Sequence, residues 1–230
     1  MEDNFSVSGG PIKEVKNVYA KTFLWMFLGL LATAIMSVFT YLKLSSIPIE
    51  SAIKVYPVLL IVELVVVIVF SLLFRKLPPA VVAVLYFIYA VINGISLSSV
   101  LVAYELSSVI SIFFISAFIY LVLCLIGMFT KVDLSKIGTI ALVGLIACVI
   151  AGIVNIFLGN DMVTLVIDWI VLIFFFAITA YDAQKIKFNI ENGIIPEEKA
   201  HIYGAMELYL DFINIFLRIL SIFGKRKLSI

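Results

Sequence analysis

The stretch SSVISIFFISAFIYLVLCLIGMF, residues 107–129, carries no charged side chain over a length sufficient to cross a bilayer. A spanning helix needs about 20 mostly apolar residues, and lipid accepts a helix because its backbone hydrogen bonds are satisfied internally. A second such run, 80–102, precedes it, separated only by Tyr104-Glu105-Leu106. Together the two hold about 50 residues, roughly 75 Å at 1.5 Å per residue, so one helix cannot account for them. Outward from this pair, apolar runs between charged or turn-forming residues recur at 22–42, 56–74, 137–158, 163–184 and 202–223. Pro78-Pro79 opens the third helix, where missing N–H groups cost nothing, and Asn160-Asp161 caps the sixth. The pattern predicts an all-α integral membrane bundle of seven transmembrane helices spanning 22–223. A polar N-terminal segment, 1–21, precedes it and a short basic tail, 224–230, follows.

Composition agrees with lipid as the solvent. Of 230 residues 64% are hydrophobic and 13% charged, against roughly 25% charged in a soluble domain. A net charge of +1 creates no field that gathers nucleic acid, which is excluded as a partner. Cys124 and Cys148 lie in separate apolar runs and read as small packing residues, not as a disulfide or metal site. Met1 to Lys21 lacks the apolar core and cleavage site of a signal peptide, so the first span is expected to act as the targeting signal. Lysine and arginine flanks divide ten to five in favour of the side holding Lys13, Lys16, Arg75 and Lys131, which predicts a cytoplasmic N-terminus. The tail cations Lys225, Arg226 and Lys227 dissent, since an odd number of spans places them on the far side; a re-entrant or short seventh segment would remove the conflict.

Charged side chains inside spans cost roughly 2.5 to 3.5 kcal/mol each at the helix centre on insertion scales, so each needs a partner, water or a function. Glu63 sits amid the apolar run Val58 to Phe70 and must face the bundle interior. Glu207, Asp211, Asn214 and Arg218 are spaced 4, 3 and 4 and fall on one face of the seventh span. Such a stripe implies a central helix whose polar face lines a cavity or ion path. The alternative is an internal Asp211–Arg218 pair, aided by Glu207, that only joins helices. Asp182 has two readings as well: a pair with Lys185 one turn on at the membrane edge, or a functional acid. Asp168 reads as interfacial, Glu105 as a loop residue.

The stretch Ala180-Tyr181-Asp182-Ala183-Gln184, the following Pro196-Glu197-Glu198, and Leu208-Tyr209-Leu210-Asp211-Phe212-Ile213-Asn214-Ile215-Phe216-Leu217 resemble the C-terminal signature of the Bax inhibitor-1 (transmembrane Bax inhibitor motif) family. The Glu63 span, Leu85 to Ala90 with Gly94, and Leu134 to Gly138 are similar to it too. The resemblance implies a bundle whose seventh helix is surrounded by the other six, acting as a pH-sensitive calcium leak. It implies that Asp182 and Asp211 form the proton-sensing pair between helices six and seven. Two carboxylates close together in low dielectric cannot both ionise cheaply and share a proton, so its loss is a gate. Glu63, Glu207, Asn214 and Arg218 are candidates for the ion path or its charge network. Carboxylate oxygens suit hard cations, so transient Ca²⁺ at Asp182 and Asp211 is expected, with no fixed metal site and no cofactor.

Two other classes stand beside this one. A membrane regulator of cell death or stress, without ion transport of its own, would act through membrane-protein partners. An intramembrane aspartyl protease would share a proton between two aspartates, but Asp211 follows Leu208-Tyr209-Leu210, not Gly-x-Gly, and Pro-Ala-Leu does not occur. The lone His201 reads as interfacial, so no enzyme is expected. The expected partners are the lipid bilayer and calcium ions; the expected location is the plasma membrane if the chain is prokaryotic.

Overall fold

The computed structural model describes residues 12–44, 59, 62–63, 65–74 and 76–227. Seven helices occur among them: α1 (Ile12–Leu44), α2 (65–73 in its described continuous part), α3 (Pro79–Ala103), α4 (Leu106–Phe129), α5 (Ser135–Leu158), α6 (Asp161–Glu191) and α7 (Glu197–Phe223). The described residues contain no strand, only an isolated antiparallel bridge between Tyr104 and Arg226. Helix ends follow local chemistry. Tyr104 and Glu105 are extended and break α3 from α4. Gly159, at φ 62°, supplies the left-handed turn that ends α5. The Asn160 side chain then accepts from the Met162 and Val163 amides at 2.9 and 3.2 Å to start α6.

Five helices are long and apolar enough to cross a membrane: α1 from Val18, α3, α4, α5 and α6. At 27 residues α7 spans about 40 Å, but its charged residues set it apart in composition. Lys199, Glu207, Asp211 and Arg218 are buried or half-buried, and among the described residues α7 has the most deeply buried surface, with Ala205, Met206, Tyr209, Phe212, Ile215 and Leu220 in the core. It packs on α1, α3, α4 and α6, and Tyr203 stacks on Phe74 at the end of α2, with ring centroids 4.4 Å apart. The expected ring of six neighbours is not what these contacts draw, because α5 packs chiefly on α6 at the periphery. Outward-facing side chains are large and apolar, as with Phe118 on α4 and Phe157 on α5, the latter 85% exposed; lipid is the medium that tolerates such a surface.

Three boundaries depart from the sequence expectation, the first being that of α1, which begins at Ile12 instead of 22. Helix α6 continues to Glu191 instead of stopping near residue 184, and α7 begins at Glu197 instead of 202. Lysines that read as membrane-edge punctuation are instead held inside the bundle end: Lys187 donates to the Met128 carbonyl at 2.9 Å, and Lys185 meets a carboxylate of α7. The tail also decides the topology. The Glu105 amide donates to the Lys225 carbonyl and the Lys227 amide to the Ala103 carbonyl, each at 2.9 Å. The tail therefore lies at the α3–α4 turn, opposite the α4–α5 and α6–α7 turns, and α7 traverses the bundle completely instead of turning back.

Without water between helices, close packing supplies the association energy, and small residues let backbones approach. Gly127 of α4 lies directly against the Ala180 carbonyl of α6, two residues before Asp182, so any Cβ there forces α4 and α6 apart. Gly152 of α5 faces open space. Gly127→Ala is expected to destabilise by about 1–3 kcal/mol, read as a lower Tm in detergent micelles. Gly152→Ala is expected to be neutral or to gain up to about 1 kcal/mol from helix propensity; equal melting of the two variants would contradict the close approach.

Candidate functional site

The seam between α6 and α7 gathers the acids. Asp182 lies on α6, Glu207 and Asp211 one turn apart on α7, and Lys185 sits among them. The Lys185 ammonium donates to Glu207 Oε1 at 2.6 Å and lies 3.6 Å from Asp182 Oδ1. The Tyr203 hydroxyl also donates to Glu207 Oε1. Asp211 is 3% exposed, and Asp182, Glu207 and Lys185 act on it through space while Thr179 lies within hydrogen-bonding reach. Tyr120 and Cys124 of α4 close the site from the third side. Asp211 Oδ2 and Glu207 Oε2 are buried without a hydrogen-bond partner among the described residues. Two carboxylates, Asp182 and Glu207, thus share one ammonium, with the buried carboxylate of Asp211 nearby. In a medium where each unpaired ion costs several kcal/mol, the remaining charge must be balanced by protons or by a cation.

A cavity of 620 Å³ reaches Lys185 of this cluster from the α4–α5 and α6–α7 end, and Thr130, Lys131, Asp133, Tyr181, Gln184 and Lys187 are among its lining residues. Gln184 fixes its rim, accepting from the Leu134 amide at 2.9 Å and donating to the Val132 carbonyl at 2.8 Å. Asp133, in the α4–α5 turn, accepts from the Ser135 amide at 2.9 Å, and bonds from the Ser135 hydroxyl and amide hold its carboxyl below the usual carboxylate range. Asp133 therefore stays ionised across neutral pH, and a pH response in that range must come from elsewhere.

The remaining candidates are dispersed. Arg218 does not pair with Asp211; its guanidinium donates to Asp168 of α6, which also accepts from the Ser221 hydroxyl. Asp168 is thereby 3% exposed, not interfacial as its place in the sequence suggested. A second polar cavity, of 330 Å³, reaches this pair from the opposite end, past Asn155, Asp161 and Thr164. The stripe on α7 is thus divided between two partners on α6, and Ile178, Phe212 and Ile215 are packed into the core that the seam crosses. Asn214 turns back on its own helix and donates to the Leu210 carbonyl at 2.8 Å. Glu63 is half-buried against Asn93 and Ser96 of α3. It shares a network in which the Tyr209 hydroxyl meets Thr33 at 2.6 Å and Asn93 at 3.1 Å. Tyr209 and Asp211 point to opposite sides of α7, so Glu63 is not brought to the Asp182–Asp211 site.

Residue reasoning reached the Asp182–Lys185 pair, but it missed Glu207 as the second partner of Lys185, Arg218 as the partner of Asp168, Tyr203 as a donor, and Thr179. The signals existed: Asp182 and Lys185 are spaced i,i+3, and Tyr203 and Glu207 i,i+4. The tie from Lys185 to Glu207, 22 residues further on, left no trace in the spacing.

Comparison with known proteins gives consistent matches. The family described as "Inhibitor of apoptosis-promoting Bax1" matches residues 15–227. "Inner membrane protein YbhL" of Escherichia coli (strain K12) is 34% identical over 223 residues, covering 94% of this chain and 95% of that one. An uncharacterized protein of Deinococcus radiodurans is 35% identical over 217 residues, covering 94% and 93%. An uncharacterized membrane protein of Streptococcus pyogenes serotype M3 is 38% identical over 167 residues, 72% of each chain.

The Arg218–Asp168 pair makes a stability prediction. Arg218→Gln leaves Asp168 buried without its cation; because the guanidinium is 35% exposed, the cost is expected at the low end of the range for buried pairs, about 3 kcal/mol. Thermal unfolding in micelles measures it, and Asp168→Asn introduced into the same variant is expected to recover part of the loss.

Proposed function

The chain belongs to the Bax inhibitor-1 family of membrane proteins, and on that premise we propose that it is a pH-sensitive cation leak, passing Ca²⁺ down its gradient along the α6–α7 seam. The observation that carries this reading is the buried surplus of acid, Asp182, Glu207 and Asp211 around the single ammonium of Lys185. Structural glue needs balanced charge, as at Arg218–Asp168; this cluster is unbalanced and keeps two carboxylate oxygens without partners. Protons balance it in the packed state. Losing them places like charges on α6 and α7, whose repulsion in low dielectric amounts to a few kcal/mol, enough to bias a packed seam towards an open one. An entering cation then replaces the protons, with carboxylate oxygens as ligands of the kind hard cations prefer.

Lys185 qualifies the mechanism. Its ammonium occupies the place between Asp182 and Glu207 that a permeating cation would take, and it borders the cavity through which that cation would arrive. It acts as a tethered competitor. The proposal places the N-terminus and the larger cavity on the cytoplasmic side of the plasma membrane, following the lysine and arginine balance.

Ca²⁺ influx into dye-loaded liposomes carrying the purified protein, across pH 6 to 8, tests the reading. Wild-type flux is expected to rise with pH, because deprotonation opens the seam, and Asp211→Asn is expected to flatten that dependence. Lys185→Gln is expected to raise flux at every pH by removing the competitor. Liposomes silent at every pH would refute the leak and favour a regulatory protein that acts through membrane partners; a pH response unchanged in Asp211→Asn would leave Asp211 a packing residue.

A further inference from the structure

A crevice of 300 Å³ opens to the lipid-facing surface between α1 and α4, with α3 as its side wall and α7 as its floor. Its sides are carbon: Leu30 and Val38 of α1, Leu97 and Leu101 of α3, Phe113 of α4, with Phe216 of α7 beneath. One of its few polar groups, the Thr33 hydroxyl, is already engaged, donating to the Gly29 and Ala90 carbonyls and meeting Tyr209. The depth of the crevice has a simple origin: α1 packs extensively on α3 and on α7, while α3 and α4 barely touch. The space left between α1 and α4 therefore reaches α7.

One end of this crevice is cationic. The Leu101 carbonyl on its wall accepts from the Lys227 ammonium at 2.6 Å, and the same ammonium stands 5.2 Å above the Tyr41 ring. Lys225 and Arg226 are held beside it by the pairing of the tail with the α3–α4 turn. Lys43 closes the last turn of α1, its ammonium over Phe39. All four cations are exposed, with Glu105 the one acid of the adjoining turn. A slot that excludes water and ends in four exposed cations at the level of the helix ends has the polarity of a ligand with one long apolar arm and one anionic end.

We infer that the crevice between α1 and α4 is a binding site for a single anionic phospholipid, its acyl chain along Leu30, Val38 and Leu101 and its phosphate against Lys227, Arg226 and Lys43. A free phosphate would satisfy the cations and leave the slot empty. A zwitterionic lipid would fill the slot but bring its own cation to a cationic rim. This use also accounts for a tail rich in Lys and Arg on the side of the membrane where the topology bias places fewest. Each cation near a lipid phosphate contributes about five-fold in affinity, so neutralising two is expected to cost more than ten-fold in preference.

Native mass spectrometry of the full chain in detergent tests the inference, with titration of phosphatidylglycerol, of phosphatidylcholine with the same acyl chains, and of glycerol phosphate. The expected result is one retained phosphatidylglycerol per chain, preferred roughly ten-fold or more over phosphatidylcholine, with glycerol phosphate binding far more weakly. The double variant Arg226→Gln, Lys227→Gln is expected to bring the two lipids near parity. Ala34→Phe, and independently Ile110→Trp, both at lipid-facing positions of the crevice walls, are expected to abolish retention without lowering Tm. Retention that survives both wall variants, several equivalent lipids per chain, or glycerol phosphate binding as tightly as the lipid would each overturn the site. A lipid-free dimer that disappears in the wall variants would identify a second copy as the occupant and overturn it equally.

Discussion

Lipid solvates no carboxylate, so the acids on α6 and α7 must find their counter-charges inside the bundle, and the packing of the two helices follows from that need. Asp168 takes Arg218 and Ser221; Asp182 and Glu207 take Lys185, with Tyr203 as a further donor. These contacts occupy two separate stretches of the seam and set the register of α7 against α6. Once α7 is held so, its apolar residues Ala205, Met206, Phe212, Ile215 and Leu220 have only the interior to fill. The burial of α7 and the pairing of its charges are one solution.

The two ends of the seam differ in charge balance, and function is read from that difference. At Arg218–Asp168 one cation meets one anion, and loss of either partner is a matter of stability. At Lys185 one cation pairs with two carboxylates, Asp182 and Glu207, while a third, Asp211, lies buried nearby, close to Thr179, Tyr120 and Cys124. A balanced pair has one comfortable protonation state; an unbalanced cluster has several, and which is occupied depends on proton and cation supply. That makes the Lys185 end the natural place for a conformational response. The close approach of Gly127 to the Ala180 carbonyl holds α4 hard against the same part of α6, so a shift there is transmitted to a third helix.

The side of α7 turned towards Glu63 has a neutral character. Tyr209, Thr33 and Asn93 exchange hydrogen bonds across α1, α3 and α7, a set of neutral groups bordered by Glu63 that specifies one arrangement of those helices. The surface follows the same logic in reverse: apolar side chains cover the lipid-facing helices, and exposed cations lie at the bundle ends, Lys225, Arg226 and Lys227 among them where the tail folds onto the α3–α4 turn.

Hydropathy alone was enough for the five spans of α1, α3, α4, α5 and α6, because a helix in lipid must be apolar over a fixed length; the run expected at 56–74 lies partly outside the described residues, and α7 is marked by its charges instead. The charges inside the spans were equally legible as exceptions, and their i,i+3 and i,i+4 spacing marked the faces of α6 and α7. Partnership was not. Spacing put Arg218 on the face of Asp211, yet its partner is Asp168, fifty residues away in sequence; Lys185 read as a membrane-edge charge, yet it is bound to Glu207 of the next helix. A sequence fixes which residues share a helix face, since that is a property of one helix. Which face meets which, how far one helix slides along another, and whether Glu63 and Asp211 look into the same space or into opposite ones depend on the mutual position of several helices. Only the packed bundle decides that, because in lipid each buried charge must settle against whichever partner the packing brings within reach.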